Sequence, residues 1–524
     1  MAETKETQDT PGERPVDLSD EDSVIFISPI QSMSGVGAED ETFSEEVHVQ
    51  RPAIVSIEGI TGVGKTEIME LLSQRYQDSP DVVVLREPSS AWEQFSVNGR
   101  NLLELAYCEP RRYGFIFQLV YFLAVENQLQ EALIQHADKR VIICEKSLLS
   151  ARVVYTELTP ELERIRYEVY QTLFQKEGVG NVYPNHIIFL DTEPRNCVGR
   201  TERKNWRGEQ IITLEYLQRC RRLHMEMKNR HSGIWSTINE HPDRVEEKLE
   251  KILKIIDRIA PLATEAHDPR LTKGTKIMSI EGNIGAGKST LLNEIEVACK
   301  KRGINGIRVL REPVEEWEKV TDGGKTILEL FYENPAEYGF PMQVLVGITT
   351  LRKMIRELSD YPDTELILSE RSTVSSQLVF AKMLYHNGFM DELEEEVYQM
   401  IFSNTSTWLV PEVMLYLNTR TNICLERIGH RCRKGESRIT MEQLERCETY
   451  HKIMFEGTGI QMRTIDGDQE MSGLKDWVSI VINWGRQLIQ GDELDHLESF
   501  QEEEDPEMLP WVMSSRNGML EGKY

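Results

Sequence analysis

Long apolar runs are missing from this sequence: no stretch approaches the roughly 18–20 consecutive apolar residues of a membrane-spanning helix. Such a span is therefore excluded from the expected architecture. Basic residues are in short supply as well. Lys and Arg number 60 against 87 Asp and Glu, leaving a net charge of −27, which argues against a nucleic acid polymer as partner. A small anionic substrate stays compatible, because a basic pocket can sit inside an acidic field. The 8 cysteines contain no C-x-x-C pair and no metal-ligand spacing, so they read as reduced thiols rather than a disulfide framework or a zinc site. The N-terminal MAETKETQDTPGERPVDLSDEDS has neither the apolar core of a secretory signal nor the Arg-rich, acid-poor pattern of a transit peptide. The expected address is cytoplasmic, with the nucleus also open.

What the chain does contain, it contains twice. Residues 54–66 read IVSIEGITGVGKT and residues 277–289 read IMSIEGNIGAGKS. Each is a β-branched apolar run, a glutamate, then G-x-x-x-x-G-K-[ST] before a helix-forming segment. The glycines Gly59, Gly62 and Gly64, and Gly282, Gly285 and Gly287, let backbone N–H groups turn toward phosphate oxygens, and the following helix adds its positive dipole end. Lys65 and Lys288 can then reach the β- and γ-phosphates, Thr66 and Ser289 offer hydroxyls to Mg²⁺, and Thr290 follows in the second copy. A lone match of this length arises by chance often enough to need support; two, each in strand–loop–helix context, supply it. The expected ligands are ATP and Mg²⁺.

The repetition extends over most of the 524 residues. Glu87 and Glu312, Gln118 and Gln343, and Glu145 and Glu370 share one offset, and Lys65/Lys288 and Arg200/Arg427 stay within two positions of it. That regularity marks an internal duplication. Apolar runs at 53–57, 82–85, 141–144 and 186–190 alternate with helical stretches, and the order recurs at 276–280, 307–310, 365–368 and 412–417. The expected fold class is α/β: two P-loop three-layer domains, each a parallel sheet flanked by helices. The expected boundaries are an acidic disordered tail over 1–49, a first domain over 50–259, a linker over 260–274, a second domain over 275–490 and an acidic tail over 491–524. SVIFISPI at 23–30 and MLPWVM at 508–513 read as apolar islands in those tails.

Four further constellations recur in both halves. After the second strand come LREPSSAW (85–92) and LREPVEEW (310–317). A glutamate at that strand end, Glu87 or Glu312, sits where open α/β sheets bind ligands and could accept a hydroxyl proton, although strand-end acids also serve as caps. YCEPRRYGFIFQ (107–118) and YENPAEYGFPMQ (332–343) carry an amide that can pair with a nucleobase edge; by themselves they would also suit a helix core. CEKS (144–147) and SERS (369–372) place an acid as a metal-serving residue with a cation beside it. CVGRTERKNWRGE (197–209) and CLERIGHRCRKGE (424–436) are dense in cations. Arg200, Lys204 and Arg207 share one helical face, as do Arg427 and Arg431, with Arg433 just beyond. A solvated basic face is the plain alternative; beside a phosphate loop, the cluster reads as a lid that neutralises transferring phosphate.

Taken together, EGNIGAGKST, EPVEEW, Y-E-N-P…F-x-x-Q, ERS and the Arg-rich segment ending in Glu resemble the deoxynucleoside kinase family, over roughly 52–257 and again 275–485. The resemblance implies that Glu312 is the general base for the deoxyribose 5′-hydroxyl, with Arg371 beside that oxygen and Glu370 serving Mg²⁺. It assigns Gln343 to the base, Trp317 and Phe380 to base packing, Tyr332 and Glu436 to the 3′-hydroxyl, and Arg427, Arg431 and Arg433 to the lid. In the first half Glu87, Trp92, Tyr107, Gln118, Glu145, Tyr155, Arg200 and Glu209 fill the same places. Because family members form homodimers, the resemblance also implies that the two halves pack as an intramolecular pseudodimer.

The first half departs from the family pattern. Lys146 replaces the ERS arginine, and Lys204 and Trp206 stand where lid arginines are expected, with Arg203 or Arg207 as substitutes. Lysine is a point charge rather than a bidentate fork, so a regulatory or structural first half remains open beside two active sites. Family members preferring deoxycytidine or purines carry an Arg seven residues after the Gln and an Asp six after the ERS glutamate. Val125 and Ala151, and Thr350 and Ser376, stand there instead, which points to pyrimidine substrates, thymidine first. A nucleoside monophosphate kinase would be expected to carry D-R-[YH] rather than ERS.

Overall fold

The computed structural model describes residues 49–158, 164–172, 182–204, 212–259, 262–264, 274–405, 409–468, 471–492 and 494. The N-terminal tail up to residue 48, almost all of the acidic C-terminal tail with MLPWVM, and Trp206, Arg207 and Glu209 lie outside them. The apolar runs of the first half form β1 (Ala53–Glu58), β2 (Val82–Leu85), β3 (Val141–Glu145) and β4 (His186–Asp191), joined by a fifth strand, β5 (Trp235–Asn239). Their order is β2-β3-β1-β4-β5, every pair parallel. The second half repeats this with β6 (Lys276–Glu281), β7 (Ile307–Leu310), β8 (Leu366–Glu370), β9 (Val413–Asn418) and β10 (Gln461–Asp466), ordered β7-β8-β6-β9-β10 and again parallel.

The central strands are buried on both faces, which is why they read as continuous hydrophobic runs. β5 and β10 were not expected from the sequence. Each is an edge strand with a single buried residue, Ile238 or Ile465, so neither presents an apolar run.

Helices supply the outer layers. Lys65–Arg75 and Lys288–Arg302 follow the phosphate loops. The long helices Pro110–Gln135 and Pro335–Asp360 have equal length, and each begins with a proline in its first turn, where the missing N–H costs nothing. Of the stretch expected as linker, Leu262–Thr264 pairs antiparallel with Val49–Arg51.

One hydrophobic cluster draws on both halves. Phe115 and Phe340 meet edge to face at 5.8 Å between centroids, and both are almost fully buried. Helix Pro335–Asp360 packs on Arg164–Thr172, and helix Glu392–Thr405 packs on Pro110–Gln135. Around this core the Thr321 N–H donates to Glu168 Oε2 at 3.1 Å and Arg112 pairs with Asp391 at 3.2 Å.

Candidate active site

Both phosphate loops turn through left-handed glycines. φ is 150°, 86° and 96° at Gly59, Gly62 and Gly64, and 139°, 79° and 105° at Gly282, Gly285 and Gly287. At Gly285 a side chain is also sterically barred, since a Cβ would stand 2.5 Å from the Cys424 carbonyl oxygen. Each loop lysine is buried and folds back on its own loop. Lys65 Nζ donates to the Gly59 and Ile60 carbonyls at 2.7 and 3.1 Å, and Lys288 Nζ to those of Gly282 and Asn283 at 3.2 and 2.8 Å. Burial, reinforced by the Arg371 charge, lowers the Lys288 ammonium to about 8.

The hydroxyl after each lysine meets the acid at the end of the neighbouring strand. Ser289 Oγ donates to Glu370 Oε1 at 2.6 Å, and Thr66 Oγ1 to Glu145 Oε1 at 3.4 Å. Burial first, then the Glu87 charge, pushes the Glu145 carboxyl up. One step along the chain, Arg371 (φ 64°) and Lys146 (φ 63°) adopt left-handed backbone, which turns their side chains toward the acid that follows the second strand. Arg371 Nε lies 2.9 Å from Glu312 Oε1, and Lys146 Nζ 2.6 Å from Glu87 Oε1. Burial raises the Glu312 carboxyl above its ordinary range, with Arg371 pulling the other way.

In the second half the predicted residues converge on one cleft of about 720 Å³. Gly285, Gly287, Lys288, Ser289, Thr290, Glu370 and Arg427 line its phosphate end; Gly282 closes the loop beneath, its carbonyl accepting from Lys288 and from Arg371 Nη1 at 3.1 Å. Glu312 and Arg371 line the cleft as well, the guanidinium 4.3 Å above the Phe380 ring. Trp317, Tyr332 and Gln343 line the same cleft. The Trp317 indole N–H donates to Thr349 at 2.9 Å, whereas the buried Gln343 Oε1 has no hydrogen-bond partner. Arg431 and Arg433 turn to Glu436, at 2.6 and 3.3 Å, and Arg427 donates to the Ala286 carbonyl at 3.0 Å.

The first half places Trp92, Tyr107, Gln118 and Tyr155 on the equivalent elements. Arg200 leaves the helix Arg195–Lys204 to pair with Glu67 at 3.0 Å and with Asp243; Lys204 ends that helix.

Two residues that position the site had no role assigned from the sequence. Glu58 and Glu281, the acids opening each loop motif, are fully buried and accept from Ser147 Oγ at 2.6 Å and Ser372 Oγ at 2.7 Å. These bonds anchor the turn that carries Lys146 or Arg371. The signal was present as a glutamate and a serine repeated in both halves.

The deoxynucleoside kinase family model matches residues 55–262 and, a second time, 278–489. The chain belongs to the deoxynucleoside kinase family. Human deoxycytidine kinase is 30% identical over 203 residues, covering 34% of this chain and 76% of the relative. The mouse deoxycytidine kinase is 32% identical with the same coverage, and human mitochondrial thymidine kinase 2 is 30% identical over 183 residues, 63% of its length. Each relative thus spans about a third of this kinase, whose two family matches account for its tandem build. Among its described residues no helix is long and apolar enough to cross a membrane.

Proposed function

We propose that this kinase transfers the γ-phosphate of ATP to the 5′-hydroxyl of a deoxynucleoside, and that the cleft of the second half carries the reaction. The observation behind this reading is the convergence of Lys288, the Ser289–Glu370 pair, the Glu312–Arg371 pair and Gln343 on one cleft. The loop and Lys288 hold the triphosphate; Glu312 accepts the hydroxyl proton; Arg371 keeps the carboxylate ionised and oriented. Arg427, Arg431 and Arg433 offset charge on the transferring group. Gln343, with its orphaned buried acceptor, pairs with the base.

The donor set fits Mg²⁺. A hydroxyl and one carboxylate beside a phosphate loop match an ion that takes its remaining ligands from phosphate and water. When bound, Mg²⁺ neutralises charge on the β- and γ-phosphates. Chemistry of this kind rests on positioning and electrostatics rather than on covalent intermediates.

The acceptor is a pyrimidine deoxynucleoside, thymidine first. Thr350 and Ser376 replace the charged pair associated with deoxycytidine and purine preference, and Ser376 lines the cleft. The halves act as an intramolecular pseudodimer: their reciprocal helix contacts and the Phe115–Phe340 contact support that assembly. The domain limits 50–259 and 275–490 belong to the same proposal. Phosphate transfer from ATP to each of the four deoxynucleosides tests the reading; preference for a purine would refute the specificity, and activity with none would refute the function.

A further inference from the structure

The two long helices that line the clefts correspond position by position, because Pro110–Gln135 and Pro335–Asp360 have equal length and align Gln118 with Gln343. Along them the first half substitutes larger rings for cleft-lining residues of the second. Phe117 stands where Met342 does, and Tyr121 where Val346 does. From the helix Leu214–Arg230, Tyr216 takes the place of Gln443.

Tyr121 occupies the middle of that group. Its ring lies 5.5 Å from Trp92 and 6.2 Å from Phe117, and Trp92 and Phe117 meet edge to face at 5.9 Å. On the other side Lys146 Nζ approaches the Tyr121 ring centroid at 5.7 Å and that of Tyr155 at 5.0 Å. Tyr121 therefore bridges the tryptophan wall and the cation beside Glu87. In the second half the residues equivalent to those two borders, Trp317 and Arg371, both face the open cleft, with Val346 on its wall.

Filling this space has a polar cost. The Tyr121 hydroxyl is buried without a hydrogen-bond partner, and so is the Trp92 indole N–H. The second follows from sequence: Ala124 stands at the position of Thr349, the acceptor for Trp317. Leaving buried donors unpaired is destabilising, so the ring packing must outweigh it.

We propose that Tyr121 closes the nucleoside end of the first-half cleft, so that the chain takes up deoxynucleoside in the second half alone. The inference rests on the reading of these clefts as deoxynucleoside sites. Side-chain volume at one helical position, Tyr121 or Val346, then sets whether a cleft admits a base.

Equilibrium dialysis of the full-length protein against each of the four deoxynucleosides in labelled form counts the sites. The wild type is expected to bind one equivalent per chain, Tyr121→Val two, and Val346→Tyr none. Two equivalents in the wild type would overturn the proposal, as would a Tyr121→Val protein with an unaltered thermal melt that still binds one. Val346→Tyr with undiminished binding would overturn it independently, even if Tyr121→Val does not fold. A wild type that binds none of the four overturns the kinase reading as well, a pattern distinct from the others.

Discussion

Arg371 Nε stands 2.9 Å from Glu312 Oε1, and the arginine reaches that position through a left-handed backbone held by the Ser372–Glu281 hydrogen bond. The guanidinium charge opposes the effect of burial on the half-buried carboxyl and so favours the ionised form that the proposed proton acceptor needs. Burial alone would favour its neutral form.

The first consequence is a pH profile. Because burial holds Glu312 above the ordinary carboxylate range, kcat/KM is expected to fall on acidification with a midpoint above that of a free glutamate. Lys288, lowered to about 8, must be protonated to attract phosphate, so the alkaline limb should lie near pH 8. Bound triphosphate favours the ammonium form, so the alkaline limb of kcat should move higher. Replacement of Arg371 by Gln removes the charge that counters burial, and the acid limb should shift upward. Steady-state rates across pH on the two proteins check both limbs.

Ser289 and Glu370, hydrogen-bonded at 2.6 Å, are the side chains proposed for Mg²⁺. Ser289→Ala and Glu370→Gln should each raise the Mg²⁺ concentration needed for half-maximal activity, and chelation of the ion should stop transfer in the parent protein. A titration with MgCl₂ at fixed ATP reads this directly. An unchanged Mg²⁺ dependence in both variants would remove these side chains from metal binding.

Glu436 holds Arg431 and Arg433 at 2.6 and 3.3 Å. Its replacement by Gln weakens both charge-assisted bonds and removes an anionic acceptor from the cleft. The deoxynucleoside KM is expected to rise more than the ATP KM. Equal changes in both constants would place Glu436 in the lid rather than at the sugar.

Between the halves, Phe115 is buried against Phe340. Truncating a buried phenylalanine typically costs about 3–5 kcal/mol. Phe115→Ala should therefore lower the unfolding free energy by that order, and chemical denaturation should show the two halves losing their shared transition. A loss below about 1 kcal/mol would mean the halves are not coupled through this contact.

Much of this arrangement was legible in the chain because duplication supplied its own control. Lys288, Ser289, Glu312, Glu370 and Arg371 recur as a set with Lys65, Thr66, Glu87, Glu145 and Lys146; their spacing marked the duplication, and the apolar runs before them suggested strand ends around a phosphate loop. The edge strands β5 and β10 were not legible, since a strand with one buried residue has no apolar run to betray it. Nor was the role of Glu58 and Glu281, whose partners Ser147 and Ser372 are distant in sequence. The filling of the first cleft escaped as well. Tyr121 in a helix reads as ordinary core until its counterpart Val346 is seen to line open space.

The most direct test of the account is deoxynucleoside-dependent consumption of ATP by the wild type and by Glu312→Gln. The wild type should form a deoxynucleoside 5′-monophosphate from at least one of the four substrates, with a pyrimidine preferred. Glu312→Gln should be slower by about 10²–10⁴-fold in kcat, the usual contribution of a positioned general base, with little change in KM. A Glu312→Gln protein as fast as the wild type would contradict the assignment of the reaction to this carboxylate and to the second half.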